Sequence, residues 1–468
     1  PIRKLTVSAR FDDLDIVHYV AQNIEIQGTA GGRILDQSPP NVNLVTVNAL
    51  NRPSGTLTAG TYNYRIVYVD RNGIESPASE FTRVVVVDPG SATPTNSVLL
   101  QQLPQAPGEY VGRRLYRSTP GIGLTYHLAA ELDSSDTAYL DTGANLGRIL
   151  DPAAGNRRSR ARLDARLSID PGVIVKAQQS RIEVGIGAQF IAEGAEGREV
   201  IFTSRFDDRY GAGGTFDTND DDSFPNEAVP APGDWGGIYI GHMGSGSIDH
   251  GFVAFAGGVV PNEQDFNAFN ALEIHQATAR IRNSTFEDNA SGVGGSGPGN
   301  RFGLINNAPA TIFVRGAQPV ILDNVFRNNQ SAGISINANA LSKEYVSDPG
   351  RSTGFGDHQD EYGDNQGALV RDNRMGGNAI NGMIVRGETL TTQSVWDDAD
   401  MVHVVLDEIY IPDFHTYGGL RLESTSTESL VVKLQGANAG FTAGGYPLDI
   451  VDRIGGTLQI IGQPGQPV

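Results

Sequence analysis

Asn283-Ser284-Thr285-Phe286-Glu287-Asp288-Asn289 is the stretch that decides the fold, because two later stretches repeat its pattern. They read Asp323-Asn324-Val325-Phe326-Arg327-Asn328-Asn329 and Asp372-Asn373-Arg374-Met375-Gly376-Gly377-Asn378. Each copy begins with Asn or Asp, has an apolar residue three positions later and an Asn three positions after that. Short Val/Ile/Leu-rich runs, typical of strands, lie beside each copy. Recurrence of one short unit predicts an all-β solenoid built from stacked coils.

The repeated positions also predict roles in each coil. We expect the apolar residues to stack inward and the last Asn of each copy to form a hydrogen-bonded ladder at a corner, as stacked amides do in other stacked-strand structures. The predicted ladder and stack residues are Asn289, Asn329, Asn378, Phe286, Phe326 and Met375. The apolar positions are 40 and 49 residues apart, more than one coil needs, so loops must bulge out. We expect these loops at 207–233, 292–310 and 341–366.

A longer repeat links the two ends of the chain. Phe11-Asp12-Asp13-Leu14-Asp15-Ile16-Val17-His18 matches Trp396-Asp397-Asp398-Ala399-Asp400-Met401-Val402-His403. Active sites are rarely duplicated, so the acidic residues are predicted corner caps or weaker calcium ligands: Asp12, Asp13, Asp15, Asp397, Asp398 and Asp400. The two histidines follow Val in strands and are expected to be structural.

Residues 41–150 have a different sequence pattern from the repeats on either side. The run from Gly60 to Asp70 alternates with period two, as a half-buried strand does. It resembles the last strands of a fibronectin type III-like module, yet 110–118, 126–128 and 137–143 resemble the middle strands of that module. We therefore predict an inserted, permuted β-sandwich at 41–150, between a first β-helix coil at 1–38 and the main β-helix at 160–468.

Bulk composition excludes some functions. The 35 Lys and Arg against 54 Asp and Glu give a net charge of −19, which disfavours nucleic acid as a partner. There is no cysteine, so disulfides and thiolate metal sites are excluded. The sequence has no apolar run of about 20 residues that could span a membrane. It starts without Met, and we interpret it as a fragment of a longer chain.

From 167 onward the sequence resembles the right-handed parallel β-helix repeats of very large bacterial surface proteins, including planctomycete-type ones. The stretches that carry the resemblance are 167–176, 185–194, 200–204 and 233–238. The resemblance implies an all-β, right-handed parallel β-helix with an inserted β-sandwich, at the cell surface. It does not fix an activity, because this solenoid also hosts pectate lyases and phage tailspikes.

The sharpest candidate site is an acidic loop. Asp217, Asn219 and Asp221 place three oxygen ligands on alternate residues, as a hard cation such as Ca²⁺ requires. The positions where an EF-hand needs Gly and Glu hold Asp222 and Ala228, so the loop is not an EF-hand. A solvated acidic loop is the alternative.

These observations predict a structural or adhesive extracellular segment, a calcium-stabilised rod in a surface layer, filament or giant adhesin. Its expected partners are neighbouring copies or further repeats of the same protein, and cell-surface polysaccharide. One alternative is a polysaccharide lyase or glycoside hydrolase using the acidic loop at 357–364. Another is a carbohydrate-binding module, although 2 Trp offer little material for stacking on sugars.

Overall fold

The computed structural model describes most of the chain. The described residues are 4–28, 32–33, 38–70, 73–86, 88, 90–107, 110–121, 125–153, 159–160, 164–221, 227–263, 265–296, 301, 304–354, 359, 361–362, 365–412, 419–444 and 456–468. They form two compact units, one of Pro1–Ala30 with Leu163–Val468 and the other of Gly31–Arg162. In this part of the chain no helix is long and apolar enough to cross a membrane.

Strands dominate both units. The first strands in chain order are β1 Lys4–Leu5, β2 Ser8–Phe11, β3 Val17–Val20, β4 Ile24–Ile26, β5 Gly32–Arg33, β6 Thr46–Leu50, β7 Gly60–Val69, β8 Thr82–Val86, β9 Ser97–Gln101, β10 Gly112–Ser118, β11 Tyr126–Asp133, β12 Ala138–Asp141 and β13 Ser159–Arg160. Next come β14 Ala165–Ile169, β15 Ile174–Ala177, β16 Arg181–Val184, β17 Ala188–Glu193, β18 Val200–Ser204, β19 Gly237–Ile240, β20 Ser245–Asp249, β21 Gly251–Ala254, β22 Val259–Asn262, β23 Asp265–Ala268, β24 Leu272–His275, β25 Thr278–Arg282 and β26 Thr285–Glu287. The last are β27 Ile312–Arg315, β28 Val320–Leu322, β29 Val325–Arg327, β30 Ala332–Asn337, β31 Leu369–Arg371, β32 Arg374–Gly376, β33 Ile380–Arg386, β34 Ser394–Trp396, β35 Val402–Val405, β36 Glu408–Pro412, β37 Leu420–Glu423, β38 Val431–Leu434, β39 Gly440–Gly444 and β40 Leu458–Ile461. One turn of 3₁₀ helix, Ala338–Ala340, follows β30.

Three long parallel sheets make up most of the first unit. Sheet 1 has the order β1-β4-β16-β19-β24-β27-β30-β33-β35-β38, sheet 2 the order β2-β14-β17-β20-β25-β28-β31, and sheet 3 the order β3-β15-β18-β21-β26-β29-β32. From β14 to β33, apart from the antiparallel hairpin β22–β23, the chain visits sheets 2, 3 and 1 in turn. An all-β fold with long parallel sheets, compatible with a solenoid, is therefore confirmed.

The core between these sheets is built from apolar side chains that lie in matching register on successive strands. In sheet 1, Ile238, Leu272, Ile312 and Ile334 occupy the same register on successive strands, and all four are buried. Each such side chain contributes about 1.5–3 kcal/mol when it leaves water. The core of this unit is built from such columns. Each coil contributes one side chain to a column, and apolar contacts between successive strands hold the column together.

Pairing changes near the end of the chain. Beyond β33, sheet 1 continues through β35 and β38, while β34-β37-β40 and β36-β39 form two short parallel sheets. Among the strands that the structure describes, each of these sheets ends in one that pairs on one side only: β38, β40 and β39. Val431, Leu434 and Ile460 lie exposed on β38 and β40.

The second unit is antiparallel. It contains a four-stranded sheet, β11-β10-β7-β8, a three-stranded sheet, β12-β9-β6, and the short pair β13-β5. Tyr64, Leu115, Val98 and Leu100 come from both larger sheets and pack in one buried cluster. In the larger sheet, β7, which carries the run that begins at Gly60, pairs with β10, and β10 pairs in turn with β11.

Candidate functional site

The Asn residues of the repeat lie at one corner of the first unit, between sheets 3 and 1. Asn289 Nδ2 donates to Asn329 Oδ1 at 2.9 Å, and Asn329 Nδ2 donates to Asn378 Oδ1 at 2.7 Å. The backbone N–H groups of Asn289 and Asn329 donate to the same two oxygens, at 3.1 and 3.0 Å. Asn381 accepts the last pair of bonds, from Asn378. The side-chain oxygens of Asn329 and Asn378 thus accept hydrogen bonds from the preceding coil, and that of Asn381 accepts them within its own coil.

A second ladder at the corner between sheets 2 and 3 was missed in the sequence. Asn324 Nδ2 and its backbone N–H both donate to Asn373 Oδ1, at 3.0 and 3.1 Å, and the backbone N–H of Ser284 donates to Asn324 Oδ1 at 3.0 Å. The residue before each ladder member, the first position of the repeat, has a left-handed backbone: Asn283, Asp323 and Asp372. Asn and Asp tolerate this conformation better than other non-glycine residues, which explains the first letter of the repeat. Asn at the second position of the last two copies, Asn324 and Asn373, was the available sequence signal for the second ladder.

The apolar positions of the repeat face the interior. Phe286 and Phe326 are buried and stack with ring centroids 5.2 Å apart and planes 10° from parallel. Met375 follows on the next coil, half-buried, and packs against the same core. A Cβ atom at Gly333 would lie 2.7 Å from the Met375 methyl, so the glycine leaves room for that side chain.

The predicted calcium loop forms a tight acidic turn. Asp217 Oδ1 accepts the backbone N–H groups of Asn219 and Asp220 at 3.0 and 2.6 Å. Asp221 Oδ2 accepts the N–H of Ala228 at 2.8 Å. One side-chain oxygen of Asn219 and one of Asp221 are buried with no hydrogen-bond partner among the described residues. Residues 222–226 lie outside that part of the chain.

A lysine from sheet 3 contacts this loop. Lys176 on β15 is fully buried, and its Nζ donates to the carbonyl of Phe216 at 2.7 Å and lies 3.8 Å from Asp208. Burial lowers the pKa of the Lys176 ammonium, while the carboxylates of Asp208, Asp207 and Asp217 act in the opposite direction. Part of the loop's negative charge is thus balanced by the protein's own cation. Across the described residues, no three His, Asp or Glu side chains come together closely enough to hold a metal ion.

The acidic repeats at the two ends lie in different surroundings. Asp12, Asp13 and Asp15 are exposed, and Asp12 lies 3.9 Å from Arg10. Their counterparts surround one buried arginine, Arg371. The contacts are Arg371 Nε to Asp398 Oδ1 at 3.2 Å, Nη1 to Asp400 Oδ1 at 3.5 Å and Nη2 to the carbonyl of Asp397 at 2.5 Å. Burial raises the pKa of Asp398 well above its ordinary value, and raises that of Asp400.

The histidines of this repeat each stack on its aromatic residue. His18 lies on Phe11 at 4.5 Å between ring centroids, and His403 lies on Trp396 at 5.2 Å. His403 is fully buried, and burial lowers its pKa to about 4. The copies nevertheless occupy different sheets, since His18 belongs to sheet 3 and His403 to sheet 1.

A buried ionic network fixes part of the 341–366 excursion to sheet 2. Arg280 on β25 donates through Nη1 to Asp249 and through Nε to Asp348, both at 2.6 Å. Glu193 on β17 accepts the backbone N–H groups of Ser352 and Thr353, at 2.6 and 3.0 Å. We call residues 346–353 the strap, because these contacts hold them against the sheet.

The contacts within this network could not be predicted from the sequence. Glu193 lies 159 residues from Ser352, and Arg280 lies 68 residues from Asp348. Period-two alternation does identify Glu193 and Arg280 as outward-facing charges on their strands, and that was the one signal present. Most of the acidic candidate at 357–364 lies outside the described residues; of its members, 359, 361 and 362 are described.

Sheet 1 carries another charged cluster. Glu273 is fully buried and contacts His275 Nε2 and Arg301 Nη2, both at 2.8 Å. Burial alone would raise the pKa of Glu273, but Arg301 and His275 outweigh it and lower the pKa below its ordinary value. The carboxylate is therefore held ionised and fully paired, as a structural group is.

Comparison with known protein families finds no family model that matches this chain, and comparison with curated proteins finds no match.

Proposed function

We propose that this chain is a structural or adhesive extracellular segment, in which the parallel sheets form a right-handed β-helix that acts as a rod. In this proposal the antiparallel unit is a permuted fibronectin type III-like sandwich carried by the rod. The observation that carries the proposal is the Asn ladder, which links three successive coils through Asn289, Asn329 and Asn378 by paired hydrogen bonds. Such axial bonding stiffens a stack and contributes nothing to turnover.

The distribution of charge supports a structural role over an enzyme. A glycoside hydrolase needs two carboxyl groups facing one substrate about 5–9.5 Å apart. The buried carboxylates Glu193, Asp249 and Glu273 instead accept bonds from protein donors. Both tryptophans, Trp235 and Trp396, are buried, which disfavours a sugar platform built on them.

The strand edges support association with further coils. Within the described ranges β38, β39 and β40 each pair on one side only, and an open edge accepts another strand readily. Exposed Leu434 and Ile460 offer apolar surface beside two of those edges. We propose that a further coil, from the same protein or a neighbouring copy, covers these edges. We also propose that Ca²⁺ bound at 217–221 stabilises the rod.

Sedimentation over rising protein concentration, with electron microscopy of the same samples, tests this role. Association is expected, and lysine substitutions of Leu434 and Ile460 should abolish it because charge blocks an edge. Exposed Val229, which lies outside these edges, gives the matched control Val229→Lys. A chain that stays monomeric and shortens an acidic polysaccharide would overturn the proposal in favour of an enzyme.

A further inference from the structure

A groove lies on the outward face of sheet 2. Its volume is about 400 Å³, within the range that small-molecule sites take. Strands β14, β17, β20 and β25 supply its floor, and Val346, Pro349 and Ser352 of the strap supply a wall.

The floor is a row of polar side chains, one from each coil. Arg166, Gln189, Ser245 and Thr278 are in register on four successive strands. Neighbouring strands are about 4.8 Å apart, so the row presents one polar group at each such step. Ser245 and Ser247 give the third coil short side chains on the floor.

The wall is fixed before any ligand arrives. The strap is held by the pair of Arg280 with Asp348 and by the bonds of Ser352 and Thr353 to Glu193. Burying ions in this way is a poor route to stability compared with apolar packing. Its effect here is positional, because two separate anchors set the distance between strap and floor.

The charge of the lining contrasts with that of the chain. Arg166 and Arg280 line the groove, and no Asp or Glu is among the described lining residues, although the net charge of the protein is −19. Arg280 is neutralised by Asp249 and Asp348. Arg166 is exposed, donates from Nε to Gln189 at 2.8 Å, and forms no ion pair with a described carboxylate. The remaining lining is rich in hydroxyl and amide groups, with Ile191, Val320 and Val346 as apolar surface.

We propose that this groove binds an acidic saccharide, with a uronate carboxylate on Arg166 and sugar hydroxyls on the Gln189–Thr278 row. A guanidinium binds carboxylate through charge-assisted hydrogen bonds, and the hydroxyl and amide groups can both donate to and accept from sugar hydroxyls. The apolar wall suits the C–H faces of the rings. The inference deepens the proposed surface role, on which it rests, by naming what the rod would hold.

Calorimetric titration with two matched ligands tests the inference. Cellotriuronate, three β-1,4-linked glucuronates, and cellotriose differ only in carboxylate against hydroxymethyl. The uronate is expected to bind about tenfold more tightly, the effect of one charge-assisted contact. Arg166→Gln should remove that preference, and Ser245→Leu should block both ligands by filling the floor. Exposed Arg374 on β32 provides the control Arg374→Gln, which makes the same charge change away from the groove and should leave binding unchanged.

Thermal unfolding shows whether each variant is folded, so a loss of binding can be distinguished from a loss of structure. Equal affinity for the two ligands, no binding of either, or equal losses in Arg166→Gln and Arg374→Gln would each overturn the inference. The titration uses the monomeric chain at low concentration, so a negative result leaves the association experiment of the proposed function untouched. Failure of association would equally leave a measured uronate preference in place.

Discussion

Replacing Asn329 with Ala should remove the centre of the first ladder. The Asn329 side chain makes four hydrogen bonds: it accepts the N–H and Nδ2 of Asn289 and donates to Asn378 Oδ1 and to the carbonyl of Phe286. The variant leaves the buried N–H of Asn289 without its acceptor, at a cost of about 1–3 kcal/mol, and loses further bonds of about 1 kcal/mol each. We therefore expect a loss of about 4–6 kcal/mol in the free energy of unfolding.

Asn381 provides a matched control at the end of the same ladder. It also accepts the N–H and Nδ2 of its predecessor, Asn378, but it is exposed, so water can replace its oxygen. Asn381→Ala should cost about 1 kcal/mol or less. Urea unfolding gives the two free energies, and native-state hydrogen exchange at the Asn289 N–H shows whether the loss is local. If Asn329→Ala costs no more than Asn381→Ala, the ladder does not stabilise the stack and the reasoning is refuted.

Three further perturbations test the core, the buried histidine and the acidic loop. Phe326→Ala should cost about 3–5 kcal/mol in urea unfolding and Phe326→Leu less than about 1.5 kcal/mol, because only the first opens a cavity beside Phe286; equal costs would contradict the stack. The folded pKa of His403 is about 4, below its unfolded value, so this group's contribution is present above about pH 6.5 and lost as pH falls toward 4. The free energy of unfolding of His403→Phe minus that of the wild type should therefore rise by about 3 kcal/mol as the pH falls across that window. Parallel curves of stability against pH for the two proteins would contradict the assignment. Millimolar Ca²⁺, compared with excess EDTA, should raise the free energy of unfolding of the wild type by about 1–3 kcal/mol, as linkage predicts. Asp217→Asn should lose this gain, and the exposed control Glu196→Gln should keep it. Absence of a gain in the wild type would show that calcium does not stabilise the protein.

The repeat around Phe286 could be interpreted from the sequence because its signals are local. Three residues separate Asn283 from Phe286 and Phe286 from Asn289, and each position has one physical requirement: a left-handed backbone, an apolar interior contact or an amide at a corner. All-β class and parallel stacking follow from such patterns. The finer assignments, such as the hand of the coil and the fibronectin type III-like unit, came from resemblance and remain proposals.

Long-range pairings could not be predicted in the same way. Nothing near Glu193 in the sequence points to Ser352, and nothing near Arg280 points to Asp348, because loops of any length can bring such groups together. The similarity of Phe11–His18 to Trp396–His403 likewise does not show where each copy lies in the fold. The copies share the aromatic–histidine stack, but they lie on different sheets, and their acids are exposed at one end and gathered around Arg371 at the other.

Imperfect repetition is itself explained by the electrostatics of stacking. Identical coils would place like charges about 4.8 Å apart along a column, and like charges directly opposite are destabilising. Glu25 and Glu183 illustrate the effect, since they are in register and the pKa of Glu25 is raised, first by burial and then by Glu183. At one charged position of the repeat the sign changes instead: Glu287 is in register with Arg327 and forms an ion pair with it. A chain with 54 acidic residues can therefore stack its coils only if the outward positions vary, while the inward Phe and corner Asn positions, which carry no charge, remain free to repeat.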